Sequence, residues 1–381
     1  MLNSLNIKNY RSLKELKINS LGKVNLITGK NNTGKSTILE AIALYASKAD
    51  LSSIYQFLGE RGENFKQTES IKNPTDSNIK SFSSLFTNRV VGFENENIIS
   101  IGASEDNTFN QQSSFEKTVS LRFVKYSDEI LRDNQGNILT RKRTILDNSN
   151  EKENPIFKIG FETRTEDNSY ILSLEEDKPY RYGYGYRNTS INQNEKFQFI
   201  RTRNIDREIN GKLFDNIALT EKEQFVIDAL KIIEQTTERI AFIEESSRER
   251  TAVIKLSGVQ NILPLKSMGD GINRILTIIL ALVNCDNGYL LIDEFENGLH
   301  YSVQEQLWKI IFSLSEKLKI QIFATTHSED CIRGFENILN RSDNALEGKL
   351  IRLDNINGII KQVEYNANEL KIATDQNIEI R

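Results

Sequence analysis

The sequence predicts an α/β fold with an antiparallel β region and a helical segment inserted into it. Three observations carry that prediction. The apolar run Val24 to Ile27 leads into Gly29-Lys30-Asn31-Asn32-Thr33-Gly34-Lys35-Ser36-Thr37. Much later, Tyr289-Leu290-Leu291-Ile292 is a second apolar run and ends in two carboxylates, Asp293 and Glu294. Between the two, residues 81–199 change to the alternation expected of half-buried strands.

The first of these stretches fills the pattern G-x-x-x-x-G-K-[ST] between a strand and a helix. That is a phosphate-binding loop. Its glycines let backbone N–H groups from Asn31, Asn32, Thr33, Gly34 and Thr37 close around phosphates; Lys35 reaches the β and γ oxygens, and the Ser36 hydroxyl is placed to hold Mg²⁺. The helix that follows, from about Lys35 to Ala46, points its positive end at the same anion. The ligand expected here is ATP with Mg²⁺.

Taken in order, Leu2 to Lys8 and Leu13 to Ile18 alternate apolar and polar residues around an Asn9-Tyr10-Arg11-Ser12 turn, and predict two short antiparallel strands. Lys23 to Ile27 is the strand that feeds the loop. Ile38, Leu39, Ile42 and Ala46 give the next helix its buried stripe. The polar stretch from Ala49 to Lys80 predicts loop with one short helix at most. Residues 1–80 are thus expected to form the first part of an ATPase head.

In the β region, 81–199, strands are predicted at Asn97 to Ile101, Thr118 to Phe123, Ile156 to Phe161 and Tyr170 to Leu174. Asp133-Asn134-Gln135-Gly136-Asn137 is a hairpin turn, because it lacks the closing bidentate Glu of a calcium loop. Tyr180, Tyr182, Tyr184 and Tyr186 recur at period two, with Arg181 and Arg187 on the opposite face. Such a tyrosine face suits stacking on bases or on a partner, and equally packing against the rest of the protein. Over 200–250 a helical segment is expected: Thr220-Glu221-Lys222-Glu223 reads as a capping box, and Val226, Leu230, Ile233 and Ile240 carry a helix to about Glu244. Arg201, Arg203, Arg207 and Lys212 precede it as a basic cluster, either a solvated surface or a nucleic-acid contact.

Residues 251–381 are expected to complete the head. Ser267-Met268-Gly269-Asp270-Gly271 opens a helix that is apolar nearly all round, and its first turn offers Ser267 and the Gly269 and Gly271 amides as a second anion-binding device. Asp293 would orient the Mg²⁺ shell and Glu294 would polarise the attacking water. Ile320 to Ala324 is another buried strand, ending in Thr325-Thr326-His327-Ser328, where His327 can hydrogen-bond the γ-phosphate and sense its loss.

Composition narrows the setting. The 381 residues include 49 Lys plus Arg against 53 Asp plus Glu, a net charge of −4 that gives no global bias toward nucleic acid or anionic membrane. Cys285 and Cys331 lie far apart without C-x-x-C partners, which fits a reducing compartment and argues against a zinc site. There is no leader pattern and no apolar run long enough for a bilayer, so a cytoplasmic location without membrane contact is expected.

The order phosphate loop, Ser267 to Gly271, Leu291-Ile292-Asp293-Glu294, then Ala324-Thr325-Thr326-His327-Ser328 resembles the ATPases of the ABC class, in the branch that holds RecF, the SMC proteins and the OLD-family nucleases. The opening Leu5-Asn6-Ile7-Lys8-Asn9-Tyr10-Arg11-Ser12 and the run Asp293 to His300 are similar to single-chain prokaryotic AAA family ATPases, many of them encoded beside a nuclease or toxin and acting in phage defence. The resemblance implies a nucleotide sandwich: a homodimer or higher oligomer in which each ATP lies between the phosphate loop of one copy and the Ser267 to Gly271 segment of the other. It also implies that Arg11 contacts nucleotide and that a separate effector is controlled. The chain shows neither a Toprim nuclease domain nor a D-x-D pair, so a built-in metal nuclease is not expected. The glutamine that couples the Mg²⁺ site to the second lobe has only Gln56 and Gln67 as candidates. A RecF-like repair ATPase binding duplex DNA is the alternative; a transporter motor fits less well, because the β-rich insertion and the Asn9-Tyr10-Arg11-Ser12 opening belong to the SMC-like branch.

Overall fold

The computed structural model describes residues 1–63, 73–94, 97–103, 118–132, 138–146, 157–175, 196–202, 207–246, 249–341, 347–376 and 378–381. Its elements begin with β1 (Leu5–Tyr10), β2 (Leu13–Ile18), β3 (Val24–Gly29), α1 (Lys35–Ala46), α2 (Leu51–Glu60), α3 (Pro74–Ser83), β4 (Ile99–Gly102), β5 (Thr118–Arg132), β6 (Ile138–Ile145), β7 (Lys158–Arg164) and β8 (Ser169–Ser173). They continue with β9 (Phe197–Ile200), α4 (Arg207–Asp215), α5 (Lys222–Leu230), β10 (Thr237–Ser246), β11 (Glu249–Leu256), β12 (Leu263–Pro264) and α6 (Asp270–Val283). The last are β13 (Tyr289–Ile292), α7 (Tyr301–Leu318), β14 (Gln321–Thr325), α8 (Glu329–Arg341), β15 (Gly348–Ile356), β16 (Ile359–Tyr365) and α9 (Ala367–Asp375).

The chain divides into two compact units: residues 1–3, 18–39 and 192–381 form one, and residues 4–17 and 40–191 the other. Residues 4–17 and 40–80 thus group with the β-rich stretch.

The first unit is built on a six-stranded sheet in the order β16-β15-β3-β14-β13-β9. All of its pairings are parallel except the β15–β16 hairpin. Strands buried on both faces read as unbroken apolar runs, and β13 is buried at every position. The parallel register sets Ile292 beside Ala324, Ala324 beside Leu26 and Thr325 beside Ile27. The residues that follow β3, β13 and β14 consequently emerge along one edge, where ligands of open α/β sheets bind. Helix α6 is buried along most of its length, with Ile272, Ile275, Leu276, Ile279 and Leu282 in the core. The three-stranded sheet β10-β11-β12 and a short 3₁₀ turn at Leu265–Met268 lead into it.

The second unit carries a seven-stranded sheet in the order β2-β1-β4-β5-β7-β8, with β6 paired to β5. An aromatic cluster packs its interior: the Phe82 and Phe161 rings lie 4.6 Å apart, and Phe86 stacks on Phe123 at 5.2 Å. Such ring pairs add stabilisation beyond the area they bury. Strands β5 and β6 pair in antiparallel register on either side of the predicted turn at 133–137, which itself lies outside the described residues. The tyrosine series from Tyr180 to Tyr186, with Arg181 and Arg187, lies outside them too, as do Gln67 and Arg203.

Two expectations are corrected. The stretch from Ala49 to Lys80 holds two helices, not one at most. Asp50 caps α2, its carboxylate accepting from the Ser52 and Ser53 amides, and Asn73 caps α3 with Pro74 in the first turn. Ile54, Tyr55, Phe57 and Leu58 bury one face of α2 despite the polar average. The long helix expected to reach Glu244 stops at Leu230, and Thr237–Ser246 is a strand. The helical stripe has a gap at Thr237, one of two adjacent β-branched residues. Pairing with β11 then sets Ile240 opposite Ile254 and Phe242 opposite Ala252, so a partner strand overrides local preference. The capping box is also displaced: the Thr220 hydroxyl accepts from the Lys222 amide, and Glu223 accepts from the Leu219 amide.

Candidate active site

The phosphate loop needs unusual backbone angles, and its sequence supplies them. Gly29 has φ 137°, Gly34 φ 87° and Asn32 φ 62°. A Cβ on Gly29 would sit 2.5 Å from the Leu353 carbonyl oxygen and 2.8 Å from Thr33 Oγ1. Thr33 Oγ1 donates to the Lys30 carbonyl at 2.8 Å and tightens the turn. Lys35 Nζ donates to the carbonyls of Gly29 (2.7 Å) and Lys30 (2.8 Å), so the ammonium lies inside the ring of the loop with only 7% of Lys35 exposed. Burial lowers its pKa from 10.5 to about 8, against the opposing attraction of Asp293, Glu294 and Glu296. Asn31 and Asn32 are exposed, whereas Thr37 is buried on the first turn of α1.

Across the sheet edge, Asp293 Oδ1 accepts from Ser36 Oγ at 3.0 Å and from Thr325 Oγ1 at 2.7 Å. The two residues expected to serve Mg²⁺ are thus already in contact. Both offer hard oxygen donors. Among the described residues no group of three or more His, Cys, Asp and Glu could cage a metal ion. Hard oxygen donors such as the Ser36 hydroxyl and the Asp293 carboxylate suit Mg²⁺, which keeps waters and takes substrate phosphates as ligands.

Glu294 occupies the left-handed region, φ 50°. Its amide donates to Thr325 Oγ1 at 2.9 Å, and its carbonyl accepts from Arg274 Nη2 at 3.0 Å. Among the described residues nothing hydrogen-bonds its carboxylate, so it is available to water. Glu296 differs: it accepts from Thr326 Oγ1 and from the His327 amide, both at 2.8 Å. That makes Glu296 a brace for the β14 end and a poor general base. His327 joins Gly29, Lys30, Asn31, Glu379 and Arg381 around a cleft of about 390 Å³. The Thr28 hydroxyl fixes the carboxyl-terminal wall of this cleft by donating to the Ile380 carbonyl at 2.7 Å.

The Ser267 to Gly271 segment lies at the start of α6. Gly269, at φ 96°, makes the turn from the 3₁₀ segment into α6, and Ser267, Gly269 and Asp270 are exposed. The Ser267 hydroxyl donates to the Pro264 carbonyl at 2.7 Å. Arg11 belongs to the second unit. Its Nε lies 2.9 Å from Glu40 and its Nη1 2.6 Å from Glu63, and only 9% of the residue is exposed. Two carboxylates pair with this guanidinium within the second unit, while its Nη2 is buried with no hydrogen-bond partner among the described residues. Gln56 is likewise engaged, donating to Glu60 at 2.8 Å on the same helix.

One site residue escaped the sequence. Arg274, in the middle of α6, is 2% exposed. Its Nη2 donates to the Asp293 and Glu294 carbonyls, both at 3.0 Å, and its Nη1 to the Arg201 carbonyl at 3.4 Å. Burial lowers its pKa, and nearby Asp293, Glu296 and Glu294 oppose that shift. The signal was a lone charge inside an otherwise apolar helix.

Comparison with known proteins agrees with this chemistry. A family described as "AAA ATPase domain" matches residues 1–332. The chain is 26% identical over 377 residues to an ATP/GTP phosphatase of Helicobacter pylori, covering 93% of this chain and 92% of that protein. A 55-residue stretch is 47% identical to an uncharacterized protein of Methanocaldococcus jannaschii, covering 14% of this chain and 25% of that one. Among solved structures, an SMC head bound to the C-terminal winged-helix domain of ScpA aligns at 13% identity over 96% of this chain and 98% of that one, with a TM-score of 0.49. The SMC head domain from Thermotoga maritima aligns at 12% identity over 96% and 99%, with a TM-score of 0.42.

Proposed function

Starting from a chain that belongs to the AAA ATPase domain family and is an ATP-hydrolysing enzyme, we propose that it works as a switch. Two copies close on ATP and Mg²⁺, hydrolyse it slowly, and in doing so control a separately encoded nuclease or toxin, in antiphage defence. The observation that carries the nucleotide chemistry is the contact of Ser36 with Asp293, one residue from Lys35 on one side and from Glu294 on the other. The exposure of Ser267 and Gly269 supports the two-copy arrangement, because the anion device faces outward where a second copy can use it. The effector and the defence role are supported by the family resemblance of both ends of the chain.

Each residue has a part in this reading. The loop amides from Asn31 to Thr37 and the Lys35 ammonium bind the phosphates, and Lys35 exchanges the Gly29 and Lys30 carbonyls for phosphate oxygens. Ser36 and Asp293 would hold Mg²⁺, which when bound neutralises charge on the β and γ oxygens. Glu294 takes the proton from the attacking water, and His327 contacts the γ-phosphate from the end of β14. Ser267 and the Gly269 and Gly271 amides close the site of the opposite copy.

The test is turnover of ATP by the purified chain with Mg²⁺ and with EDTA, repeated with the product of the adjacent reading frame. Turnover that needs Mg²⁺ and an effector whose activity changes with ATP support the switch. Tight, salt-sensitive retardation of duplex DNA by the chain alone would favour the repair reading instead. No helix among the described residues is long and apolar enough to cross a membrane.

A further inference from the structure

Helix α6 does two things at once. Its amino-terminal end, with Gly271 in the first turn, follows directly on Ser267 and Gly269, and its second turn carries Arg274 into the strand ends. There the buried guanidinium meets no carboxylate within hydrogen-bond reach among the described residues. It donates instead to three main-chain carbonyls, those of Arg201, Asp293 and Glu294, while its Nε is buried with no hydrogen-bond partner among the described residues. A guanidinium that only filled space would be replaced at less cost by an apolar side chain. Here its fork is spent on the backbone of the residue proposed as general base.

That backbone requires holding. Glu294 is a non-glycine residue in the left-handed region, a conformation that persists only where the surroundings determine it. Two contacts do so. Thr325 Oγ1 accepts from its amide, and Arg274 donates to its carbonyl. The Thr325 hydroxyl also reaches Asp293, so Thr325 fixes the Mg²⁺ side of the turn and Arg274 fixes the far side.

We infer that Arg274 is a positioning residue for Glu294, and that it links the α6 amino terminus, which serves the opposite copy, to the general base of its own copy. The inference rests on the proposed role of Glu294. It predicts that nucleotide binding and chemistry separate at Arg274. The loop, Lys35 and Ser36 do not touch it, so affinity for ATP persists; the carboxylate that must face the water loses its fixed direction, so turnover falls.

The protein carries its own reporter. Its single tryptophan, Trp308, stacks on Phe295, the residue after Glu294, with ring centroids 3.9 Å apart and planes 11° from parallel. Release of the turn therefore changes Trp308 emission without any need for turnover.

The experiment compares the parent, Arg274→Lys, Arg274→Ala, Thr325→Val and Glu294→Gln in the full chain. It reads kcat, KM, the affinity for a fluorescent ATP analogue, Trp308 emission and the thermal unfolding midpoint. Expected for Arg274→Ala is a fall in kcat on the order of 10²-fold with KM within about threefold of the parent. Trp308 emission shifts to the red, and millimolar guanidinium partly restores turnover in this variant alone. Arg274→Lys keeps one donor and falls between the parent and Arg274→Ala, which keeps the test usable if the alanine variant does not fold. Parental kcat in Arg274→Lys and in any folded Arg274→Ala, with Glu294→Gln inactive, overturns the inference and leaves the base in place. Loss of nucleotide affinity in step with kcat also overturns it, because Arg274 would then only support the fold. Parental turnover in Glu294→Gln overturns the assignment of the base, and this inference with it.

Discussion

The Ser36 hydroxyl donates to Asp293 at 3.0 Å, joining the residue after the phosphate-loop lysine to the end of the Asp-Glu strand. Parallel pairing of β3 with β14 and of β14 with β13 brings them to one edge. The Thr325 hydroxyl donates to the same oxygen. Asp293→Ala should leave both hydroxyls without their acceptor and lower stability by about 1–3 kcal/mol in chemical denaturation. It should also make ATP affinity insensitive to Mg²⁺. Affinity that still rises on adding Mg²⁺ would show that the ion is held by other groups.

Lys35 gives the site a pH dependence whose sign is fixed by its burial. With its pKa lowered from 10.5 to about 8, the folded chain releases this proton earlier than the unfolded one. The unliganded protein should therefore gain stability from this group as pH rises from about 8 to 10.5, the penalty being fully present below that window. ATP needs the charged lysine, so its binding should weaken above pH 8 and take up a proton, measurable by calorimetry in buffers of different ionisation heat. Lys35→Ala should abolish both the uptake and the binding itself. Unchanged affinity for labelled ATP in that variant would remove the loop from the account.

Ser267→Arg should leave nucleotide binding to a single copy nearly intact and stop hydrolysis, since Ser267 is exposed at the start of α6 and is proposed to serve the opposite copy. Mixed with Lys35→Ala, it should restore at most one working site per pair. Complete loss of ATP binding in Ser267→Arg, measured by the same titration, would place the segment in its own copy's pocket or in the support of the fold.

The parts of the site that the sequence made legible are those whose residue types have few other uses. Gly29 and Gly34 adopt backbone angles that favour glycine, and an apolar run that ends in Asp293-Glu294 suits a buried parallel strand. Helix α1 runs from Lys35 to Ala46, where its stripe of Ile38, Leu39 and Ile42 predicts it. What could not be read depends on partners distant in the chain. Thr237 to Ser246 is a strand because β11 pairs with it, and Arg11 is buried because Glu40 and Glu63 receive it. Arg274 offered only a lone charge inside an apolar helix, and the three backbone carbonyls it meets leave no trace in residue types. The caps Asp50 and Asn73 went unread amid the polarity around them.

The measurement closest to the central claim is the oligomeric state of Glu294→Gln with ATP and Mg²⁺, by size-exclusion chromatography with light scattering. The amide keeps the size of the carboxylate and removes the charge that takes the proton, a contribution on the order of 10² to 10⁴ in rate. Asp293, Ser36 and Lys35 remain to hold the nucleotide. The variant should hydrolyse almost nothing and run as a stable dimer that needs ATP, while Lys35→Ala stays unresponsive to nucleotide under the same conditions. Hydrolysis at the parental rate, or arrested hydrolysis with an oligomeric state indifferent to ATP, would contradict a switch that closes two copies on ATP.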